Sequence, residues 1–202
     1  GKNNCVHASL TLEVYKKTGI PSPQMVASMI KMSTAKQYKP ETAIECILRP
    51  LSVSDMQDLC DACDLAIQDG GGFGWVNLPA RETMERYFEG VITVPNRVLF
   101  VARLDGTIAG AALLIIPPSN NEAQAHAITL TGHFIAPWAR AHALSRKMIE
   151  QMEDFARSEG FKVINLDVDE IQTAAIGLYE SMGYEKFGEN PYGTYKEGRY
   201  LK

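Results

Sequence analysis

The sequence predicts an α/β protein built on a mixed β-sheet, and three observations carry that prediction. Near residue 98 the pattern of apolar residues changes from a period of 3.6 to a period of 2. Between the strand runs Val98–Leu104 and Thr107–Ile116 stands Asp105-Gly106, a hairpin turn signal. Beyond Pro137, helical and strand patterns alternate, the arrangement that joins parallel neighbours. A meander followed by such units gives a sheet that is antiparallel first and parallel later. It must splay somewhere between the two regimes, and ligands prefer crevices outside strand carboxyl ends.

Taken in order, residues 1–43 read as a helical extension, with apolar residues at helical spacing over 11–17 and 24–32. The two are separated by Gly19-Ile-Pro-Ser-Pro, which breaks a helix. The main domain is expected over 44–202. It opens with a strand at Ala43–Arg49. Ser54 then caps a helix running to Gln68. Asp69–Trp75, rich in glycine, is a loop, and Pro79–Val91 is a second helix with proline near its start. Three strands follow, Val98–Leu104, Thr107–Ile116 and Ala125–Ala136, the last stopped by Pro137. A long amphipathic helix spans Ala143–Glu159, with Leu144, Met148, Ile149, Met152 and Phe155 on one face and Gly160 closing it. Then come a strand at Lys162–Val168, a helix at Ile171–Met182, a strand over Gly183–Gly188 and a last one within Thr194–Leu201. The count is about seven strands.

A length of 202 residues suffices for one such domain, and 46% hydrophobic with 22% charged residues is the composition of a globular chain. No apolar run approaches the ~18 residues of a membrane span, and the first residues lack the apolar stretch of a secretory leader. A cytoplasmic protein, without membrane partners, is the expectation. The net charge of −4 argues against nucleic acid as a partner. Residues 1–43 carry six lysines and two acidic residues, hence +4, which leaves −8 for the rest; a solvated helical surface accounts for this. Of four cysteines, Cys5, Cys46, Cys60 and Cys63, the last two form a C-x-x-C. No second Cys/His pair lies near enough for zinc, and Leu59, Cys60 and Cys63 share one face of an amphipathic helix, so structural thiols and no metal are expected.

The most informative stretch is His133-Phe-Ile-Ala-Pro-Trp-Ala-Arg-Ala-His-Ala-Leu-Ser145. A strand ends, a loop carries Arg140 and His142, and the small residues Ala141, Ala143 and Ser145 lead into a helix. Small side chains let main chain approach a ligand, and the amides and dipole of a helix start favour a phosphate. An ordinary strand–turn–helix with an alanine-rich start fits the same stretch. Here the sequence resembles the acyl-CoA motif of the GNAT superfamily, R/Q-x-x-G-x-G/A. Arg140 holds the first position, and Ala143 and Ser145 stand where glycine and Gly/Ala are usual. Gln172-Thr-Ala-Ala-Ile-Gly-Leu-Tyr-Glu-Ser-Met-Gly-Tyr184 is similar to that family's N-x-x-A-x-x-L-Y-x-x-x-G-F/Y, with Gln172 replacing the asparagine. Ile47–Asp55 resembles its opening strand and helix. The resemblance covers 44–202 and implies a mostly antiparallel mixed sheet splayed between its fourth and fifth strands.

The resemblance implies an acyl-CoA-dependent N-acetyltransferase using acetyl-CoA as co-substrate, with no metal. By that analogy, main chain around Phe134 and Ile135 holds pantetheine and polarises the thioester. Arg140, Ala141, His142, Ala143, Leu144 and Ser145 hold the pyrophosphate, Gln172 adds to the cofactor site, and Tyr179 is the general acid for the leaving thiolate. The family's usual glutamate falls at Thr129, which cannot serve as base, so His126, His133 and Glu122 are the candidates, with an ordered water equally open. Strict alternation over 125–136 puts His133 on one face with Thr129 and Thr131 and His126 on the other; a bulge reverses this. The acceptor, a primary amine of a small molecule or peptide, is expected near Asp69, Phe73, Trp75 and Glu122. A second reading makes the chain a catalytically degenerate acyl-CoA-binding sensor, motivated by the missing glycines and by Thr129. Self-association as a homodimer is left open by the sequence.

Overall fold

The computed structural model describes residues 39–70 and 74–202. The helices expected over 11–17 and 24–32, Cys5 and Phe73 lie outside the described residues. The sheet begins two residues before the expected domain start, with β1 at Thr42–Ile47. Helix α1, Val53–Gln68, is capped by Ser52, whose Oγ accepts from the Asp55 amide at 3.1 Å. Ser54 was the expected cap, but it already sits inside the first turn, its hydroxyl 3.0 Å from that of Ser52. Helix α2, Arg81–Thr93, buries Met84, Phe88 and Val91, one stripe at helical spacing. Arg81 joins the two helices, its guanidinium reaching Asp61 at 2.6 Å and the Gln57 carbonyl at 2.9 Å.

Strands β2, Arg97–Leu104, and β3, Thr107–Ile115, meet at Asp105 (φ 51°) and Gly106 (φ 83°), the two left-handed residues of the hairpin turn. Both strands are buried along nearly their whole length because helices cover both faces. On one face α1 and α2 pack over Leu99, Val101, Ile108 and Leu113. On the other, helix α3, Leu144–Ser158, packs Leu144, Met148 and Met152 over Phe100, Ala112 and Leu114. Each fully buried side chain of this size contributes about 1.5–3 kcal/mol. Phe155 is only half-buried and meets Phe100 edge-on at 5.7 Å.

The central sheet has the order β1-β2-β3-β4-β5, with β4 at Ala127–Ile135 and β5 at Val163–Leu166. All neighbours are antiparallel except β4 and β5, which run parallel. Helix α4 spans Thr173–Ser181. Among the described residues the central sheet thus holds five strands, not about seven. Strands β6, Thr194–Lys196, and β7, Arg199–Leu201, form a separate hairpin. The strand expected over 183–188 is absent. Gly183 (φ 92°) closes α4, the Tyr184 amide turns back to the Tyr179 carbonyl, and Lys186 pairs with Glu189 in a local curl. No helix among the described residues is long and apolar enough to cross a membrane.

Candidate active site

The site is set by an irregularity in β4. Ala111 pairs with Phe134 and Leu113 with Thr131, so Gly132 and His133 together stand opposite Ala112. Gly132 takes φ 60°, which a side chain would resist. Inserting one residue exchanges the faces beyond it. Before the bulge Ile128 and Leu130 face α3; after it Ile135 does, and Phe134 and Ala136 face α1 and α2. His133 is therefore turned away from the face of Thr129 and Thr131, which strict alternation had assigned to it. The close partner of this segment is Gly110, where a Cβ would stand 2.4 Å from the Phe134 carbonyl oxygen.

Strands β4 and β5 pair only from Ala127–Val163 to Leu130–Leu166. Beyond that they part, and a cleft of about 1390 Å³ opens between Thr131–His133 on one side and Asp167–Glu170 and α4 on the other. The expected splay between the fourth and fifth strands is this opening. Inside it, His133 Nδ1 lies 2.8 Å from the Tyr179 hydroxyl. Tyr179 is 6% exposed, and burial pushes its phenol up to about 12. Burial likewise pushes His133 down to about 4, so its ring is neutral. Part of the residue remains accessible, but Nε2 is sealed from solvent and has no partner among the described residues. Tyr184 meets Tyr179 edge-on at 5.5 Å, its phenol raised by burial and by the nearby Glu153.

A second cavity, about 290 Å³, lies at the start of α3. Ile135 and Leu178 line it, while His133 and Tyr179, next along the same face of β4 and the same turn of α4, line the cleft. The loop reaches α3 through Ala141 (φ 71°) and Ala143 (φ 57°), both left-handed without being glycine. Ala143 is the helix N-cap and makes no side-chain cap bond, so the first amides of α3 open onto this cavity. Leu144 is buried, Ser145 and His142 are half-buried, and Gln172 is half-buried at the start of α4, bordering the cleft.

Arg140 lines the smaller cavity, while Asp69, Trp75, Glu122 and His126 line neither opening. The Arg140 guanidinium pairs with Asp69 at 2.5 Å, which joins a residue assigned to cofactor with one assigned to acceptor. Trp75 is half-buried against the α1–α2 core, edge-on to Tyr87 at 4.9 Å. Glu122 sits in an exposed 3-10 turn and His126 is exposed just ahead of β4. At ~3.3 Å per residue, seven strand residues place His126 roughly 20 Å from His133. Sequence reasoning missed Arg146, which lines the smaller cavity and donates to Ser181 at 2.7 Å. Its signal was a cation one residue past Ser145, at a helix start otherwise read for its small residues. The buried Cys60 and Cys63 are inert thiols, pushed up by burial, Cys60 to about 11. No group of side chains among the described residues could hold a metal ion.

A sheet split at its antiparallel–parallel junction, with an uncapped helix start beside the split, offers a cleft flanked by a place for a phosphate. Residues 67–184 match the acetyltransferase (GNAT) family, and the chain belongs to that family. It is 61% identical over 122 residues to an uncharacterised N-acetyltransferase from the hisH-hisA intergenic region of Azospirillum brasilense, covering 60% of this chain and 73% of that one. It is 29% identical to an IAA acetyltransferase of the same organism, over 50% of this chain and 61% of the relative. Among solved structures, an N-acetyltransferase from Staphylococcus aureus Mu50 superposes with a TM-score of 0.66 at 16% identity, over 80% of this chain and 93% of that one. The putative acetyltransferase yncA from Salmonella typhimurium, solved with its cofactor acetyl-CoA, superposes with a TM-score of 0.63 at 18% identity, over 79% and 88%. At these identities the structural likeness establishes the fold.

Proposed function

We propose that this chain transfers an acetyl group from acetyl-CoA to a primary amine of a small molecule or peptide, by direct attack, with Tyr179 serving the leaving sulfur. The observation that carries the reading is the Tyr179 hydroxyl, held inside the cleft where β4 and β5 part. In this scheme the diphosphate lies against the first amides of α3, with Arg146 beside it and Arg140 released from Asp69. The pantetheine arm follows β4 past Ile135 to the cleft. The amine nitrogen attacks the thioester carbon, the C–S bond breaks and an amide forms. Tyr179 donates a hydrogen bond to the sulfur as negative charge develops there. A thiol titrates near ~8.5, so a phenol held at about 12 stays protonated and acts mainly as that donor.

The base is water. His133 offers an incoming ammonium neither nitrogen, since Nδ1 is held by Tyr179 and Nε2 is sealed. Solvent in the open cleft takes the proton instead. Among the described residues, seven acidic and four basic side chains line the cleft, which favours a cationic acceptor by simple attraction.

The test is turnover of acetyl-CoA over a panel of amino acids, peptide N-termini, polyamines and amino sugars, with CoA affinity measured by calorimetry. Replacing Tyr179 by Phe is expected to lower kcat by ~100-fold, the lower end for removing one donor aimed at developing charge, with little change in CoA affinity. Equal rates would remove Tyr179 from the reaction. The second reading, a sensor that binds acyl-CoA without transfer, is favoured by Ala143 in a glycine conformation and by Arg140 engaged with Asp69. Tight CoA binding without turnover on any amine would select it, and no CoA binding would end both.

A further inference from the structure

We propose that His133 is a positioning residue for Tyr179, donating from Nδ1–H to the phenolic oxygen so that the tyrosine's own proton points into the cleft. The inference rests on the reading that Tyr179 serves the leaving sulfur, and it concerns a residue that the sequence offered only as a base.

The argument is one of proton accounting. A neutral imidazole carries one N–H and one bare nitrogen. If the proton sat on Nε2, Nδ1 would accept from Tyr179. The phenol proton would then be spent on the histidine, and a buried N–H would be left without a partner. If the proton sits on Nδ1, the phenolic oxygen accepts and its proton is free. What remains unsatisfied at Nε2 is then a lone pair. Buried N–H groups without partners are rarer in proteins than under-used acceptors. Burial disfavours the cationic ring, in which both nitrogens would donate. The Nδ1–H tautomer therefore satisfies the site best, and it is also the one that leaves Tyr179 able to donate to sulfur.

The placement depends on the bulge. Were β4 to alternate regularly through Gly132 and His133, the ring would face α1 and α2, and Tyr179 would have no imidazole beside it. The chain thus carries an irregular strand whose effect is to bring this one ring to this one hydroxyl, with the ring centroids 6.0 Å apart.

Two measurements on the full chain test the proposal. The first is proton–nitrogen correlation NMR with labelled histidine. Four histidines are present, and the His133 signals are those lost in His133→Asn. The expected pattern is Nδ1–H, and an Nε2–H pattern overturns the proposal without any assay of turnover. The second is a double-mutant cycle in kcat with acetyl-CoA and the best amine of the panel. His133→Leu is expected to lower kcat about tenfold, the worth of one well-placed hydrogen bond. KM for acetyl-CoA should stay within about twofold. His133→Asn, whose amide N–H can stand near the Nδ1 position, should restore most of the rate. In the Tyr179→Phe background His133→Leu should cost almost nothing, because the ring acts through the hydroxyl. An equal loss in both backgrounds would make His133 a packing residue and overturn the inference while leaving Tyr179 in place. A wild-type rate for Tyr179→Phe would remove the reaction scheme and this inference together.

Discussion

Ala143 shows how much a single backbone angle can hold. It sits at φ 57° and caps α3 without a side-chain bond. The left-handed conformation costs a residue with a Cβ about 1–2 kcal/mol, and alanine is also a poor N-cap. Replacing Ala143 by Gly is therefore expected to stabilise the fold by about 1 kcal/mol in chemical denaturation, even after the entropy that glycine adds to the unfolded chain. The sequence showed that small residues lead into this helix, because alanine there is visible as composition. It did not show which main-chain region they occupy. Tyr179 was named through the resemblance of Gln172–Tyr184 to the family's motif, because a Leu-Tyr pair on a helix reads by itself as packing. Its bond to His133 was not, because which face a strand residue takes depends on a bulge several residues away from any turn signal. The trace in the residues themselves was Gly132 inside a β-prone run, a residue that in strands often marks a bulge.

Among the elements, β3 and β4 are the pair on which the site is built, and Gly110 is where they come closest. A methyl group there would stand 2.4 Å from the Phe134 carbonyl oxygen and 2.5 Å from the Ile135 Cδ1. The carbonyl belongs to main chain that is already paired, so it cannot move away cheaply. Gly110→Ala is expected to destabilise the protein by about 2–3 kcal/mol, read as a lower midpoint in thermal melting, and to weaken CoA binding in calorimetry by displacing Phe134 and Ile135. The hairpin and the long helix were legible because their signals are local: a two-residue turn, and an apolar stripe ended by glycine. The cap at Ser52 and the missing strand after Gly183 were less so. Two serines compete for one helix start, and a β-prone run becomes a strand only if an edge is there to receive it. Residues 184–190 meet none among the described residues.

At the scale of the molecule, burial is uneven along the chain. Two cores, one on each face of the sheet, hold α1, α2, α3 and the first four strands. Of residues 163–202, only Tyr179 and Leu201 are buried. Within that tail, the last residues are fastened back to Asp169 and Glu170 by polar ties. Asp169 accepts from Thr194 at 2.6 Å and from Lys196 at 3.1 Å, and the Glu170 amide donates to the Lys202 carbonyl at 2.8 Å. Segments with few apolar contacts open at the lowest free energy. In a brief trypsin digest followed by mass spectrometry, the first cut within residues 39–202 should fall after Lys186, well before any at Arg103, whose side chain is 16% exposed and tied to Asp55 and Glu45. The two anchoring residues, Asp169 and Glu170, also border the cleft. Lys186 and Phe187 border the same space, so a protease clock run with and without CoA would report its occupancy as a change in the rate of that one cut.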